Sequence, residues 1–431
     1  MSAPGATLPI QTFRLHNGLL LTLSADRTAP IVAVNLWYHV GSANEREGRT
    51  GFAHLFEHML FQGSEHVAAN EHFELIQRAG GTLNGSTWLD RTNYFETVPS
   101  HQLELALWLE ADRMGRLLPA MTQGKLDTQR DVVKNERRWS VDNQPYGSWW
   151  ERLPALCFPP SHPFHHSLMG SMEDLSAASL EDVAAFFRAY YTPDNAVLSI
   201  AGDIDENETR LLVNRHFGSI PRGNGRPPLA SMEVSPTFGG WLRGLVEDDV
   251  AVARVFVACR TPIFGSDDYY AASTMAAMLG TGRGSRLHKS LVRERQLASA
   301  ATAFTFDLAK GSDLLVVDTT ARPGISAEAL EQGIVDVLDE LRLHGPRPGE
   351  LDRVLAQMET EFVTSMQSAG DRAEQLSRFA TYYGDPTLLN DQVARYRAVS
   401  DDSVRGLASA RLGPDNRASL VYVPRSDEGA A

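Results

Sequence analysis

The chain has almost no cysteine. Two residues in 431, Cys157 and Cys259, build no disulfide framework and no Cys-based metal centre. Buried free thiols are the expected state. Long apolar runs are missing too. None approaches the ~20 residues of a bilayer span, so no membrane span is expected. A basic excess is also absent, and the formal net charge of −14 argues against nucleic acid as the main partner. A negative field suits a chamber that concentrates basic peptides, and it equally serves plain solubility. The start, Met1 to Ala6, shows neither a basic region nor an apolar core, so no leader is visible. A cytoplasmic protein is expected; a periplasmic one fits if a leader has been removed.

What is there is a soluble globular composition, 43% hydrophobic and 22% charged. A chain of 431 residues is too long for one ordinary core, so at least two domains are expected.

The most informative stretch is His54-Leu55-Phe56-Glu57-His58. On a helix, residues four apart leave the same face one turn apart. Two neutral imidazoles so placed can hold one Zn²⁺, with Glu57 beside the metal and not on it. The flanking Phe52, Ala53, Leu55, Phe56, Met59, Leu60 and Phe61 would bury most of that helix. Burying three ionisable groups is costly unless something pairs them, and a divalent cation is the natural partner. A catalytic zinc site usually takes a third protein ligand. Glu136, separated from His58 by 77 intervening residues, lies in a segment of helical spacing that also carries Asp131. Spacing alone does not choose between acidic residues.

The pattern H-x-x-E-H belongs to the inverted zinc peptidases. With Val133-Lys134-Asn135-Glu136, and with Gly80 to Thr87 followed by Asp90-Arg91-Thr92-Asn93-Tyr94-Phe95, the chain resembles the pitrilysin (M16) family of zinc peptidases. The similarity is to the processing-peptidase-like M16B branch, which includes the mitochondrial processing peptidase and its bacterial relatives. It covers roughly residues 30 to 140. The resemblance implies Glu136 as the third ligand of one Zn²⁺ per chain, Glu57 as general base, and Asn84, Gly85 and Ser86 on an edge strand that pairs with extended substrate. Main-chain pairing of that kind accepts many sequences. There are two departures. Gln129 stands where the family often has a supporting Glu, seven residues before the ligand. Gly85 replaces the usual Ala.

Active members of this family also carry an Arg, and a Tyr seven residues later, in the second domain. Anchored on Ser285-Arg286-Leu287, those positions here are Val292 and Ser299. An intact metal triad beside an emptied second pair implies the zinc subunit of a heterodimer, with a homologous partner supplying Arg and Tyr. A homodimer using Arg293 or Arg286 is the fallback.

The chain also repeats itself. Ser179 and Ser400, Val183 and Val404, and Pro193 and Pro414 are each 221 residues apart. Each copy reads as a Ser-capped helix, a Pro-Asp-Asn turn and a strand. Ile31–Val40 and Val250–Arg260 read as strands, each followed by a helix. In the second copy Ser273, Ala276 and Ala277 replace the motif residues, so metal is expected in the first half alone. The Pro/Gly-rich stretch after residue 220 reads as a linker. The expected division is 1–220 for the zinc domain, 221–235 for the linker and 236–431 for the homologous domain without metal. The fold class is α+β: two homologous domains, each a largely antiparallel sheet with helices packed on it, of the LuxS/MPP-like metallohydrolase type that the resemblance implies.

Other residues carry less. His162, His165 and His166 read as a loop over the cleft, and His66 and His72 as surface positions. Arg378, Tyr382 and Tyr383 read as a helix packing face. Gly280 to Gly284 lacks the Gly-Lys-Ser/Thr ending of a phosphate loop. The function expected is zinc-dependent endopeptidase. A non-catalytic assembly subunit of the same fold is the competing class, and a zinc hydrolase acting on something other than peptides is a third.

Overall fold

The computed structural model describes residues 7–225, 227 and 231–425. The six N-terminal residues, and residues 226 and 228–230 of the expected linker, lie outside them. The fold is α+β with two sheets, as the repeat implies. The first sheet runs β1 (Gln11–Arg14), β2 (Leu20–Ala25), β6 (Ala196–Gly202), β3 (Ile31–Tyr38), β5 (Thr92–Pro99), β4 (Thr82–Thr87). The second runs β7 (Gly240–Asp248), β11 (Asn416–Pro424), β8 (Arg254–Thr261), β10 (Asp313–Ala321), β9 (Ala298–Thr305). Removing β1 makes the two orders superimposable. Each sheet is antiparallel apart from one pair, β2 with β6 and β7 with β11.

The duplicated signature behaves alike in both copies. Ser179 caps the helix Leu180–Tyr190, and Ser400 caps the helix Asp401–Arg411, each closing a capping box. Asn195 Nδ2 donates to the carbonyl of Tyr190 at 2.7 Å and Asn416 Nδ2 to that of Arg411 at 2.8 Å. Each asparagine thus satisfies a carbonyl at the end of the preceding helix before its strand begins.

The inner face of the first sheet carries Leu21, Leu23, Val34, Leu36, Tyr94 and Ile200. They pack in one core with α1 (Phe52–Met59), α2 (Glu71–Arg78), α3 (Leu103–Arg116) and α4 (Gln123–Arg137). Alternation along the strands sends Thr22, Asn35, Trp37 and Ser199 to the opposite face. The helix Ala369–Tyr383, from the C-terminal half of the chain, covers that face with Ala373, Ser377 and Ala380. In the second unit, α5 (Trp149–Cys157) packs on β7, β8 and β11, where Trp149 stacks on Phe256 at 4.7 Å. The compact units therefore differ from a single division at 221–235 in two segments. Residues 138–165 group with the second sheet, and residues 362–392 group with the first. Among the described residues no helix is long and apolar enough to cross a membrane. Both cysteines are buried and free.

Candidate metal centre

The site is built on α1. Gly51 opens this helix at φ 83°, where a side chain would be strained and a Cβ would lie 2.5 Å from the Met169 carbonyl. Phe52, Leu55, Phe56 and Met59 are buried on one side. His54, Glu57 and His58 are left half-buried on the other. The first turn is held by Glu45, which sequence reading missed. Its carboxylate accepts from the Gly51 N–H at 2.9 Å and the Ala53 N–H at 2.7 Å. Burial pushes the Glu45 pKa up, and these donors oppose the shift.

The helix α4 brings Glu136 to the same place. Leu126, Gln129 and Val133 form its buried stripe, and Glu136 continues that stripe by one turn. The His58 Nε2 lies 3.1 Å from Glu136 Oε2, and the His54 Nε2 lies 3.7 Å from Glu136 Oε1. One ligand-type atom from each of the three residues falls within 4.8 Å of the others. Tetrahedral bonds of about 2.1 Å put ligand atoms about 3.4 Å apart, so the donor set fits a small divalent cation in type and spacing. Burial and the neighbouring His58 push the His54 pKa down to about 4, which keeps its imidazole neutral, as a metal ligand must be. The hydrogen bond with His58 leads the lowering of the Glu136 pKa. Gln129, the expected supporting residue, is buried two turns before Glu136.

Glu57 points toward β4. Its Oε2 accepts a 2.6 Å hydrogen bond from Thr87 Oγ1. Burial raises its pKa, and the Thr87 bond opposes that shift. A Cβ at Gly85 would come within 3.2 Å of Glu57 Cγ and Oε1. The exchange of Ala for Gly here thus changes the packing on the carboxylate itself. β4 is the last strand of its sheet, bonded to β5 alone. Of the three residues expected to meet substrate, Asn84 Oδ1 accepts from the Gly85 N–H at 2.9 Å. Ser86 Oγ donates to Asn93 at 2.7 Å.

Several other expectations are corrected. His72 is not a surface residue: it is buried on α2 with its Nε2 3.5 Å from Glu96 Oε2. His72, Glu96 and Glu110 form a second close group of ligand-type atoms. Arg113 already supplies a cation there, donating to Glu110 from Nε at 2.9 Å and stacking 4.0 Å from the Tyr94 ring. The spacing His72, Leu75, Ile76 placed His72 on the apolar stripe of α2, a signal present in the sequence. His162 is buried, stacked 4.5 Å from Phe158 with Nε2 against the Met232 carbonyl, so it overlies no cleft. Arg286 is buried, with Nε donating to Glu350 at 2.9 Å and Nη2 to Gly345 at 2.8 Å, which removes it from the fallback. Arg293 and Ser299 are exposed. Tyr382 packs edge-on against Trp37 at 5.8 Å, as a packing face should. Among the described residues neither close group of ligand-type side chains includes a second-half residue.

Comparison with known proteins adds the family. A model described as insulinase, peptidase family M16, matches residues 21–155, and one described as the peptidase M16 inactive domain matches residues 177–358. The zinc protease PqqE of Helicobacter pylori is 30% identical over 84% of this chain and 81% of its own. The mitochondrial-processing peptidase subunit beta of Blastocladiella emersonii is 25% identical over 89% of this chain and 82% of its own. A crystal structure of a protease from Helicobacter pylori superimposes with a TM-score of 0.91 at 27% identity, covering 97% of this chain and all of that one. One described as a peptidase M16 inactive domain from Pseudomonas fluorescens gives 0.87 at 19% identity, covering 97% and 98%. The repeated sheet order, the helix-borne histidine pair and these matches lead to one conclusion: the chain belongs to peptidase family M16.

Proposed function

We propose that the chain is a zinc-dependent endopeptidase acting on extended or unstructured peptides, and that it is the zinc-bearing subunit of a heterodimer. The observation that carries the catalytic reading is the convergence of His54, His58 and Glu136 next to Glu57, with Glu57 bonded to the edge strand β4. His54, His58 and Glu136 would hold Zn²⁺, which supplies Lewis acidity: water activation near neutral pH and polarisation of the scissile carbonyl.

The remaining steps belong to the chain. β4 offers its unpaired edge to substrate main chain through Asn84, Gly85 and Ser86. Thr87 fixes one oxygen of Glu57, which leaves Oε1 to take a proton from the attacking water. The same oxygen returns it to the leaving amine, so one carboxylate acts as base and then as acid. Burial of Glu57 favours the neutral form and makes proton uptake easier.

The heterodimer reading rests on Val292 and Ser299 standing where active relatives carry Arg and Tyr. A homologous partner lacking the metal residues would supply both groups. The competing reading, a non-catalytic assembly subunit, has in its favour that same empty pair, but not the retained ligand set. The deciding experiment is zinc content and peptide cleavage for the wild type, Glu57→Gln and His58→Ala, each with and without the homologous partner. We expect one zinc per chain in the wild type and in Glu57→Gln, cleavage by the wild type with partner only, and neither zinc nor cleavage in His58→Ala. A wild-type chain without zinc under any loading condition overturns the reading.

A further inference from the structure

An edge strand is bonded on one side only, so something else must fix its turn and its distance from the active carboxylate. The side chains that do this for β4 converge on the helix Ala369–Tyr383, which lies about 280 residues further along the chain. A single oxygen, Glu374 Oε2, accepts from Asn35 Nδ2 at 2.7 Å, Trp37 Nε1 at 3.0 Å and Asn93 Nδ2 at 2.9 Å. Asn35, Trp37 and Asn93 are all buried. The other end of Asn93 faces the hairpin: Asn93 Oδ1 accepts from Ser86 Oγ on β4 and from Arg91 Nη1, both at 2.7 Å. Arg91 also donates to the Ser86 carbonyl at 3.1 Å and lies 5.3 Å from the Trp37 ring. Two turns further along the same helix, the Tyr382 hydroxyl donates a 2.6 Å bond to Asp90, which sits in the connection between β4 and β5.

We propose that Glu374 and Tyr382 are positioning residues for peptide binding: the helix Ala369–Tyr383 fixes the β4–β5 hairpin from behind the sheet, through Asn93 and Ser86 at one point and Asp90 at the other. The proposal rests on the reading of β4 as the substrate edge. A carboxylate oxygen shared by three buried donors is a strong anchor: its loss leaves Asn35 Nδ2 and Trp37 Nε1 without that acceptor and Asn93 Nδ2 with only Asn35 Oδ1, at 3.1 Å. Both residues reach β4 indirectly, Glu374 through Asn93 and Tyr382 through Asp90.

The test uses the full zinc-loaded chain carrying Glu57→Gln, so that peptide binds without turnover. Into it go Glu374→Gln, Glu374→Ala and Tyr382→Phe. Two quantities are read: amide exchange of residues 82–87, and the affinity for a fluorescent unstructured basic peptide. Exchange in β4 should quicken about tenfold in Tyr382→Phe, the loss of one charge-assisted bond, and at least as much in Glu374→Ala, which removes the acceptor of three, with a smaller change in Glu374→Gln. Peptide affinity should weaken by a similar factor, while exchange in α1 and zinc content stay at the parent values. Should Glu374→Ala fail to fold, Tyr382→Phe, which removes one oxygen, carries the test. Unchanged β4 exchange in folded variants overturns the proposal. A uniform rise across the sheet also overturns it, since that marks a merely structural role. In the parent, added peptide should slow exchange in β4. Protection elsewhere would instead sink the substrate edge itself, an outcome distinct from any behaviour of the variants.

Discussion

Thr87 Oγ1 donates a 2.6 Å hydrogen bond to Glu57 Oε2, tying the proposed base to the strand proposed to bind substrate. The bond leaves one carboxylate oxygen engaged and one available. Thr87→Val keeps the shape and removes the donor. We expect kcat/KM to fall about tenfold, the worth of one hydrogen bond to a charged acceptor, with zinc content unchanged. Thr87→Ser should stay near the wild-type rate. Steady-state kinetics beside elemental analysis checks both.

Metal removal should register in stability as well as in activity. A ligand that binds the folded chain alone stabilises it by about 2.7 kcal/mol at a hundredfold excess over its dissociation constant. Chelation should therefore lower the melting temperature of the wild type and leave that of His58→Ala unmoved. Gln129 stands where related chains often carry a supporting carboxylate, so Gln129→Glu should tighten zinc binding by about tenfold or more. Competition with a chromogenic chelator measures it.

How far the sequence alone reached follows the range of each contact. The α1 pair was legible because i, i+4 spacing on an apolar helix is a local pattern. Both Ser caps and both Asn turns were legible for the same reason. Glu136 was not selected by pattern: 77 residues separate it from His58, and family resemblance alone separated it from Asp131. Glu45 and Glu374 left no local trace. Glu45 reaches α1 from the preceding loop, and Glu374 meets Asn35 and Asn93 across a separation that only the folded sheet closes. The regrouping of residues 138–165 and 362–392 escaped for the same reason, since the burial that fixes those segments is provided by distant strands.

Glu45 is expected to matter more than its distance from the metal suggests. Its carboxylate satisfies two of the orphan donors of the α1 first turn. Glu45→Ala leaves them buried without an acceptor, at a cost of roughly 1–3 kcal/mol. The melting temperature should drop and zinc affinity should fall with it, because the turn that carries His54 loosens. Glu45→Gln keeps one acceptor oxygen and should lie between. Thermal denaturation with and without zinc separates the two effects.

The buried group behind β5 predicts a stability profile in pH. Burial pushes both Glu96 and Glu110 up to about 7, and the charge of Glu96 raises Glu110 further. Arg113 can balance one negative charge, not two. In the unfolded chain both acids titrate near 4.3. Between there and about 7 the folded state holds more protons than the unfolded one, so this pair makes stability fall as pH rises through that window and level off above it. Glu96→Gln mimics the protonated carboxyl and cannot ionise. Its melting temperature should match the wild type at pH 5 and exceed it at pH 8. Urea denaturation across that range checks the sign: a variant that loses as much stability as the wild type between those two pH values would show that Glu96 enters the folded protein already charged.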